Sequence, residues 1–214
     1  ALRAQMNPHF IFNCLHSIQS FILDKDPKNA NKYLTQFANL IRQTLENSFQ
    51  SFISLDDEIK YLGTYLQLEQ MRSESKFEYH IETEAGLSTS AVSIPVMVIQ
   101  PFVENAVRHG IQSVNNRGGL INIYFSANDQ ELTCRVEDNG IGRQQAQLQK
   151  NTDPPTYRSR GMQLTYERIE LINTNSVKKI TVEIVDKFND NNEPNGTDVI
   201  IRFPIFIAKE TTLP

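Results

Sequence analysis

The chain has 214 residues, of which 39% are hydrophobic, enough for the core of one large domain or of a catalytic domain with a small helical one. Lysine and arginine total 21 against 25 aspartate and glutamate residues, giving a net charge of −4. No strong basic block is present, which argues against a nucleic-acid partner. The apolar runs are too short to span a bilayer, and no signal peptide is visible.

The two cysteines, Cys14 and Cys134, lie far apart and lack the spacing of metal ligands. Cys14 falls in an apolar helical pattern and Cys134 in a strand pattern. We expect two buried free thiols in a reducing compartment, with a disulfide between them as the less favoured alternative.

The first 23 residues carry apolar side chains at helical spacing, in a narrow stripe of Ile11, Leu15, Ile18 and Ile22. This spacing predicts a helix over residues 1–23, with His9, Asn13 and His16 on the opposite, more exposed face. Pro8 begins the helix or kinks a longer one, because proline lacks an N–H. We expect the helix to continue upstream in a larger protein.

A second helix is predicted from Pro27 to about Ser48, with Asp26 as its N-cap. The short connection predicts an antiparallel hairpin of the two helices. Such a hairpin is too small to bury its apolar faces alone, so we expect it to pair with a second copy in a four-helix bundle. The wide apolar face of the second helix consists of Ala30, Tyr33, Leu34, Phe37, Leu40, Ile41, Thr44 and Leu45.

The rest of the chain predicts an α+β fold. A capping box at Ser54–Asp57 begins a third helix that ends near Arg72. Alternating apolar positions predict strands at 77–83, 121–125, 132–136, 180–184 and 199–203. A polar segment over residues 142–160 is predicted to be a mobile loop before a helix over residues 161–173. Helices on one face of a mostly antiparallel sheet make a layered α+β domain.

Three motifs place polar residues beside these elements. Gln100-Pro-Phe-Val-Glu-Asn-Ala-Val-Arg-His-Gly110 reads as a helix in which Glu104 and Asn105 interrupt the apolar run and which Gly110 ends. Glu137-Asp-Asn-Gly-Ile-Gly142 follows a predicted strand, and Ser159-Arg-Gly-Met-Gln-Leu-Thr-Tyr-Glu-Arg168 places Gly161 at a helix start. Asp-Asn-Gly alone is more often a turn. Together, the three motifs resemble the ATP-binding domain shared by histidine kinases, gyrase-type ATPases, Hsp90 and MutL.

The N-terminal segment narrows this resemblance. Gln5-Met-Asn-Pro-His-Phe-Ile-Phe-Asn13 closely resembles the phospho-acceptor motif of the LytS/YehU-type sensor histidine kinases, which reads roughly Q-x-N-P-H-F-L-F-N. The resemblance implies a helical hairpin for dimerisation and phospho-acceptance, expected over residues 1–53. A GHKL-type α/β sandwich with a mixed, mostly antiparallel sheet is expected over residues 54–214. We place the boundary near residues 50–53, and at the latest near residue 76.

The resemblance also implies a role for each residue of the nucleotide site. Asp138 would accept a hydrogen bond from the adenine amino group, since an ionised carboxylate only accepts. Gly140 and Gly142 would let the backbone approach the nucleotide, and the N–H groups at the start of the Gly161 helix would meet phosphate. Arg108 and His109 are weaker candidates for phosphate contacts.

The catalytic roles fall on three residues. Asn105 would bind Mg²⁺ through its side-chain oxygen, and Glu104 would act as general base or orienting residue. His9 would be the nucleophile that attacks the γ-phosphorus of ATP. Phe10 stands where many other histidine kinases have an acid, so Asn13 or Glu104 would have to orient the imidazole.

The implied function is that of a two-component sensor histidine kinase core, using ATP and Mg²⁺ to phosphorylate His9 and then the receiver domain of a response regulator. It would be a homodimer, and the cytoplasmic portion of a protein anchored in the inner membrane through an upstream region. Ser159 and Leu164 replace a glycine and an asparagine of the family motif. The alternative is therefore a catalytically weak or inactive nucleotide-binding dimeric module. The N-terminal histidine motif argues against a third interpretation, a gyrase- or MutL-like ATPase.

Overall fold

The computed structural model describes residues 8–73, 77–111, 118–143, 158–174 and 176–205. The first part contains α1 (Pro8–Leu23), α2 (Pro27–Ser48), β1 (Phe52–Ser54) and α3 (Leu55–Arg72). Next come β2 (Phe77–Thr83), β3 (Ser93–Pro95) and α4 (Gln100–Asn105), which continues as a π-helix (Ala106–Ile111). The last part contains β4 (Gly119–Ala127), β5 (Glu131–Asp138), α5 (Arg158–Thr174), β6 (Thr181–Phe188) and β7 (Pro194–Pro204).

Five strands form one sheet in the order β2-β4-β5-β7-β6. β2 and β4 are parallel, and the other neighbours are antiparallel, which confirms the predicted mixed, mostly antiparallel sheet. One face of the sheet is apolar and buried, and α3 and the π-helix pack against it. The opposite face carries polar side chains such as Glu78, His80 and Arg135, which are exposed. The fold is therefore a two-layer α/β sandwich, as the sequence predicts.

The first two helices form the predicted hairpin, joined by residues 24–26. The rings of Phe21 and Tyr33 lie 5.8 Å apart, and the Tyr33 hydroxyl donates a hydrogen bond to Cys14 Sγ at 3.4 Å. Both cysteines are free and buried, as predicted. The two helices of the hairpin therefore pack against each other through aromatic rings and a buried thiol.

The buried side of α1 differs from the predicted stripe. Phe10 and Cys14 are buried, whereas Leu15 and Ile22 of the predicted stripe are 48% and 62% exposed. The physical reason is α3, which packs against the side of α1 that carries Phe10. A helix's own periodicity finds its apolar positions, but the neighbouring helix decides which of them are covered.

The helix starts that the sequence predicts are present. The Asp26 carboxylate accepts from the Asn29 N–H at 3.1 Å and caps α2. Ser54 caps α3 by accepting from the Asp57 N–H at 3.1 Å, and its hydroxyl donates to the Asp57 carboxylate at 2.6 Å. Both caps satisfy N–H groups that have no partner inside the helix.

A second, two-stranded sheet was not predicted. β1 and β3 are antiparallel, with Ile53 opposite Ile94, and both isoleucines are buried. Three-residue strands are too short for an alternating pattern to stand out. This pairing ties the segment after α2 to the segment that leads into α4.

Two predicted helix ends differ from the structure. The helix of the first motif does not stop at Gly110, because it changes to π-helical bonding after Asn105 and continues to Ile111. The helix predicted from Gly161 begins at Arg158. Most of the predicted mobile loop, residues 144–157, lies outside the described residues. Within the described ranges, no helix combines the length and hydrophobicity needed to cross a membrane.

Candidate functional site

Glu104 and Asn105 are the last two residues of α4, at the point where the helix changes to π-helical bonding. π-Helical turns are rare and are frequent at functional sites. Both side chains are half-buried. They lie among the predicted apolar positions, all of which are buried: Val98, Ile99, Phe102, Val103, Ala106 and Val107. The predicted amphipathic helix is confirmed, with two polar residues held at the edge of the core.

The Glu104 carboxylate accepts a hydrogen bond from Gln100 Nε2 at 2.7 Å, one helical turn away. Burial raises the pKa of Glu104, while the Gln100 hydrogen bond and the Arg108 charge oppose the rise and the Glu69 charge adds to it. A carboxylate with a raised pKa is a better proton acceptor near neutral pH. The geometry therefore suits a base or an orienting group.

Asp138 is the last residue of β5 and pairs with Ile121 of β4. Its side chain is only 5% exposed. The Gly140 N–H donates to its Oδ1 at 2.8 Å. Burial raises the pKa of Asp138 to about 6, against the opposing effects of the Gly140 and Thr197 N–H groups and the Lys187 charge. A buried carboxylate keeps lone pairs for a further donor, which is what an exocyclic amino group provides.

The turn after Asp138 is fixed by side chains that the sequence analysis missed. Asn139 Oδ1 accepts from the Leu120 N–H at 2.7 Å, and Asn139 Nδ2 donates to the Gly118 carbonyl at 3.0 Å. Arg143 forms two hydrogen bonds with the Asp186 carboxylate, at 2.7 and 2.8 Å. Asn139 thus joins the turn to β4 and to the residue just before it, and Arg143 joins the turn to β6.

Lys187 on β6 contacts the end of β5 as well. Its Nζ lies 2.6 Å from Glu137 Oε1 and 3.2 Å from the Asp138 carbonyl oxygen. The Asp-Asn-Gly sequence is a signal that could have found Asn139. Arg143 and Lys187 give no such signal, because their partners belong to strands that are distant in sequence.

Gly142 and Gly196 are required by the shape of this turn. Their φ angles are +74° and +99°, a region that favours glycine. A Cβ on Gly196 would lie 2.0 Å from the Asp138 carbonyl oxygen and 2.8 Å from the Asn139 Cα. Gly196 therefore allows β7 to press against the backbone that carries Asp138. The Asn195-Gly196 pair, a common turn signal, could have indicated this position.

The other predicted site residues lie on neighbouring elements. Arg108 and His109 belong to the π-helix, which packs against β4, β5 and β7. Gly161 is the fourth residue of α5, so residues 158–160 occupy the positions whose N–H groups lack partners within the helix. α5 packs beside α4, where the rings of Phe102 and Tyr166 meet edge to face at 6.3 Å.

The structure thus brings Asp138 and Gly140 into direct contact and connects them to the α4 segment through the π-helix. His9 is the second residue of α1, on a separate helix. The side chains of His9, His109 and Ser159 lie outside the described part of the structure, whereas Leu164 is half-buried on α5.

Two protein-family models match the chain. The model described as "Histidine kinase" matches residues 1–77. The model described as "Histidine kinase-, DNA gyrase B-, and HSP90-like ATPase" matches residues 90–207, more than half of the chain.

Curated relatives agree with these matches. The chain is 36% identical to the sensor protein LytS of Staphylococcus haemolyticus over 66% of this chain and 24% of that protein. It is 33% identical to the sensor histidine kinase BtsS of Escherichia coli K12, over 64% of this chain and 24% of that protein. The chain therefore spans about a quarter of the length of these relatives. Among solved structures, it is similar to the Acinetobacter baumannii histidine kinase AdeS, with a TM-score of 0.48 and 13% identity over 92% of this chain and 98% of that one.

The segment from Gln5 to Asn13 lies in the part of the chain matched by the first model. The Glu104–Asn105 helix and the Asp138 turn lie in the part matched by the second model. The chain belongs to the histidine kinase family and has a LytS-type histidine kinase core.

Proposed function

We propose that this chain binds ATP at the Asp138 turn and transfers the γ-phosphoryl group to His9. The observation that carries the proposal is the buried Asp138 carboxylate, held by the Gly140 N–H at the end of β5. A partly satisfied carboxylate in a buried site suits a donor on a flat ligand such as adenine. Gly142 and Gly196 adopt positive φ angles at this turn, and Gly196 lets β7 pack directly against the backbone that carries Asp138.

In the proposed reaction, an imidazole nitrogen of His9 attacks the γ-phosphorus of ATP. An N–P bond forms, the bond from the γ-phosphorus to the bridging oxygen breaks, and ADP leaves with the bonding electron pair. Glu104 would accept the imidazole proton or hold the ring in position. Its raised pKa and its hydrogen bond from Gln100 support this role.

Asn105 is the proposed protein ligand of Mg²⁺, which would neutralise charge on the phosphates when bound. The residues fit this ion, since a neutral side-chain oxygen lies next to Glu104 at the half-buried end of α4. Mg²⁺ in phosphoryl-transfer sites commonly takes one or two protein oxygens together with phosphate oxygens and water. Arg108, His109 and the start of α5 are proposed to contact phosphate.

The partners are also proposals. A second copy of the chain would cover the exposed apolar residues of α1 and α2. A response-regulator aspartate would accept the phosphoryl group from His9. Anchoring to a membrane would come from a part of the protein outside this sequence, in keeping with the much greater length of its sensor-protein relatives.

The decisive test is the substitution His9→Gln in the full chain. Incubation with γ-labelled ATP and Mg²⁺ should label the wild type with acid-labile phosphate and leave His9→Gln unlabelled, while calorimetry finds the same ATP affinity for both. Glutamine keeps the polarity and approximate size but has no nucleophilic nitrogen. His16→Gln, in the same helix, serves as the matched control and should label normally.

Label that persists in His9→Gln would move the acceptor to His16, His80 or His109. A wild type that binds ATP but takes up no label would instead support a nucleotide-binding signalling module without kinase activity. Ser159 and Leu164 would then be the first positions to restore to glycine and asparagine.

A further inference from the structure

The turn that carries Asp138 is held at both of its ends by β6, the last strand in the order of the sheet. At the start of the turn, Lys187 Nζ donates to Glu137 Oε1 at 2.6 Å and to the Asp138 carbonyl oxygen at 3.2 Å. At the end of the turn, Arg143 donates two hydrogen bonds to the Asp186 carboxylate, at 2.7 and 2.8 Å. Two adjacent residues of β6 therefore contact one turn at its two ends.

A β-bulge lies where these two residues stand. β7 lies between β5 and β6, so both contacts reach past a neighbouring strand. Adjacent side chains of a regular strand point to opposite faces of the sheet. Asp186 lies opposite Thr197, and Phe188 lies opposite Pro194. Two residues of β7 therefore oppose Lys187 alone, which is the pattern of a β-bulge, a feature that re-aims side chains and is frequent beside active sites.

The bulge also brings β7 against the same backbone atom. Gly196 is one of the two residues opposite Lys187, and its φ is +99°. A Cβ on Gly196 would lie 2.0 Å from the Asp138 carbonyl oxygen, the atom that accepts from Lys187. Two features of the β6–β7 hairpin thus meet at the residue that is proposed to recognise adenine.

The two ion pairs contribute little to folding. The side chains of Lys187 and Glu137 are 27% and 25% exposed, and that of Arg143 is 51% exposed. Solvent screens charges at such positions, and ordering long side chains costs entropy. The paired hydrogen bonds from Arg143 to Asp186 do add geometric specificity, because they fix the direction of the guanidinium. These contacts therefore fix a position more than they stabilise the fold.

The position of the turn matters because the Asp138 carboxylate moves with it. The Gly140 N–H that donates to Asp138 Oδ1 belongs to the same turn, so this hydrogen bond does not fix the carboxylate relative to the sheet. A hydrogen bond to a ligand weakens steeply when its atoms leave the range of distance and angle that it requires. Whatever holds the turn on the sheet therefore decides how well Asp138 accepts from a bound base.

We propose that Asp186 and Lys187 are positioning residues that make the site selective for adenine: they hold both ends of the turn and place the Asp138 carboxylate where it accepts from the adenine amino group. This inference rests on the proposed function, because it takes Asp138 as the residue that recognises the base. The two residues act through the turn, so they govern the choice of base and leave the contacts to phosphate unchanged.

The test measures, by calorimetry, the affinity of the full chain for ATP and for inosine triphosphate. The two nucleotides carry the same phosphates, but the base of inosine triphosphate has a carbonyl oxygen in place of the amino group of adenine. The wild type should prefer ATP by at least about tenfold, the effect of one hydrogen bond to a charged group. The ratio of the two affinities reports on base recognition alone, because a loss of folded protein or of phosphate contacts lowers both affinities alike.

Lys187→Met removes the charge but keeps the length of the side chain, and it should reduce the preference for ATP roughly 5- to 10-fold. Asp186→Arg places like charges opposite each other and should reduce the preference similarly. The double variant Asp186→Arg/Arg143→Asp reverses the ion pair and should restore most of the preference. Arg202→Met is the matched control and should leave the ratio unchanged, because it removes an ion pair with Glu183 that also joins β6 and β7 but lies away from the turn.

An unchanged ratio in Lys187→Met and Asp186→Arg would overturn this role and leave the proposed function in place. Equal losses for the two nucleotides would also overturn it, because the residues would then contact phosphate or support the fold. If Asp186→Arg does not fold, Asp186→Asn removes the same charge and makes the measurement possible. A wild type that binds both nucleotides equally would overturn the adenine assignment of Asp138, and this role with it.

Discussion

At the scale of single residues, Asp138 unites the features expected of a base-reading carboxylate. It is buried at the end of a strand, held by the Gly140 N–H, and its pKa is raised to about 6. Asn139 in the following turn accepts from the Leu120 N–H, and Lys187 of β6 donates to the Asp138 carbonyl, so the backbone that carries this carboxylate is held in place. Its role can be tested by charge and by pH.

Asp138→Asn should weaken ATP binding by roughly 10- to 150-fold, since a hydrogen bond to a charged group contributes on the order of 1.5–3 kcal/mol. In the wild type, binding favours the ionised carboxylate, so affinity should fall as the pH drops below about 6. Calorimetry with adenosine, which has no titrating phosphate, measures this pH dependence without interference. Asp138→Asn should show none, and an unchanged ATP affinity in the variant would contradict the adenine assignment.

Gly196 tests how closely β7 must approach the Asp138 turn. Gly196→Ala would place a Cβ 2.0 Å from the Asp138 carbonyl oxygen, so the backbone has to shift. Gly86→Ala is the matched control, because Gly86 also has a positive φ but no atom within 4 Å of the added Cβ. The control should lose about 1–2 kcal/mol of unfolding free energy from backbone strain alone. Gly196→Ala should lose more and also lose ATP binding, as denaturant unfolding and calorimetry would measure; equal losses would show that the contact is unimportant.

At the scale of secondary-structure elements, α3 carries an unusual buried acid on the side that faces the sheet. Glu58 is 3% exposed, and its Oε1 has no hydrogen-bond partner among the described residues. Burial raises the pKa of Glu58 to about 7. Its titratable neighbours are Tyr61 and Cys134, whose pKa values are raised, so both stay neutral while Glu58 titrates.

This acid should make stability depend on pH. Because the folded-state pKa lies above the unfolded value of 4.5, the folded state holds its proton longer. The contribution of Glu58 to the unfolding free energy should therefore be greatest below pH 4.5 and decrease between pH 4.5 and 7, by about 3 kcal/mol in total. Glu58→Gln should remove this decrease. Urea unfolding at several pH values measures it as the difference between chains with and without Glu58→Gln, since Glu104 and Asp138, whose pKa values are also raised, titrate in both; parallel curves would contradict the prediction.

At the scale of the whole molecule, the hairpin leaves large apolar side chains uncovered. α3 covers one side of α1, but other residues of α1 and α2 remain exposed: Leu15, Ile22, Leu23, Leu34 and Leu45. Phe49, directly after α2, is 88% exposed. Several exposed large apolar side chains concentrated on one helical hairpin are typical of an interaction surface. The structure therefore supports pairing with a second copy, although α3 already performs part of the burial that the sequence assigned to the partner.

We expect the full chain to sediment as a dimer, and Ile22→Glu to weaken the dimer. Fully burying an isoleucine contributes about 1.5–3 kcal/mol, so the loss should exceed tenfold in the dissociation constant. Val177→Glu, at a 99% exposed position away from the hairpin, is the control and should leave the dimer intact. A wild type that remains monomeric at high micromolar concentration, with α1 and α2 folded, would argue against this interface.

Much of the site could be predicted because its signals are local. The apolar positions around Glu104, the caps at Asp26 and Ser54, and the alternation that ends at Asp138 all follow from residues within a turn or two of each other. The motifs then added a family whose models match most of the chain. The assignment of single residues to ATP, Mg²⁺ and phosphate remains a prediction.

The sequence by itself therefore determined the order and type of the elements, apart from β1, β3 and the π-helix, and the candidate residues that they carry. Only the tertiary structure decided that Phe10 and Cys14, rather than Leu15 and Ile22, are buried on α1, and that β1 pairs with β3. It alone joined Arg143 to Asp186, Lys187 to Glu137, and Gly196 to the Asp138 carbonyl. The reason is physical: backbone periodicity and capping depend on near neighbours, whereas burial and charge pairing depend on which distant segment packs alongside.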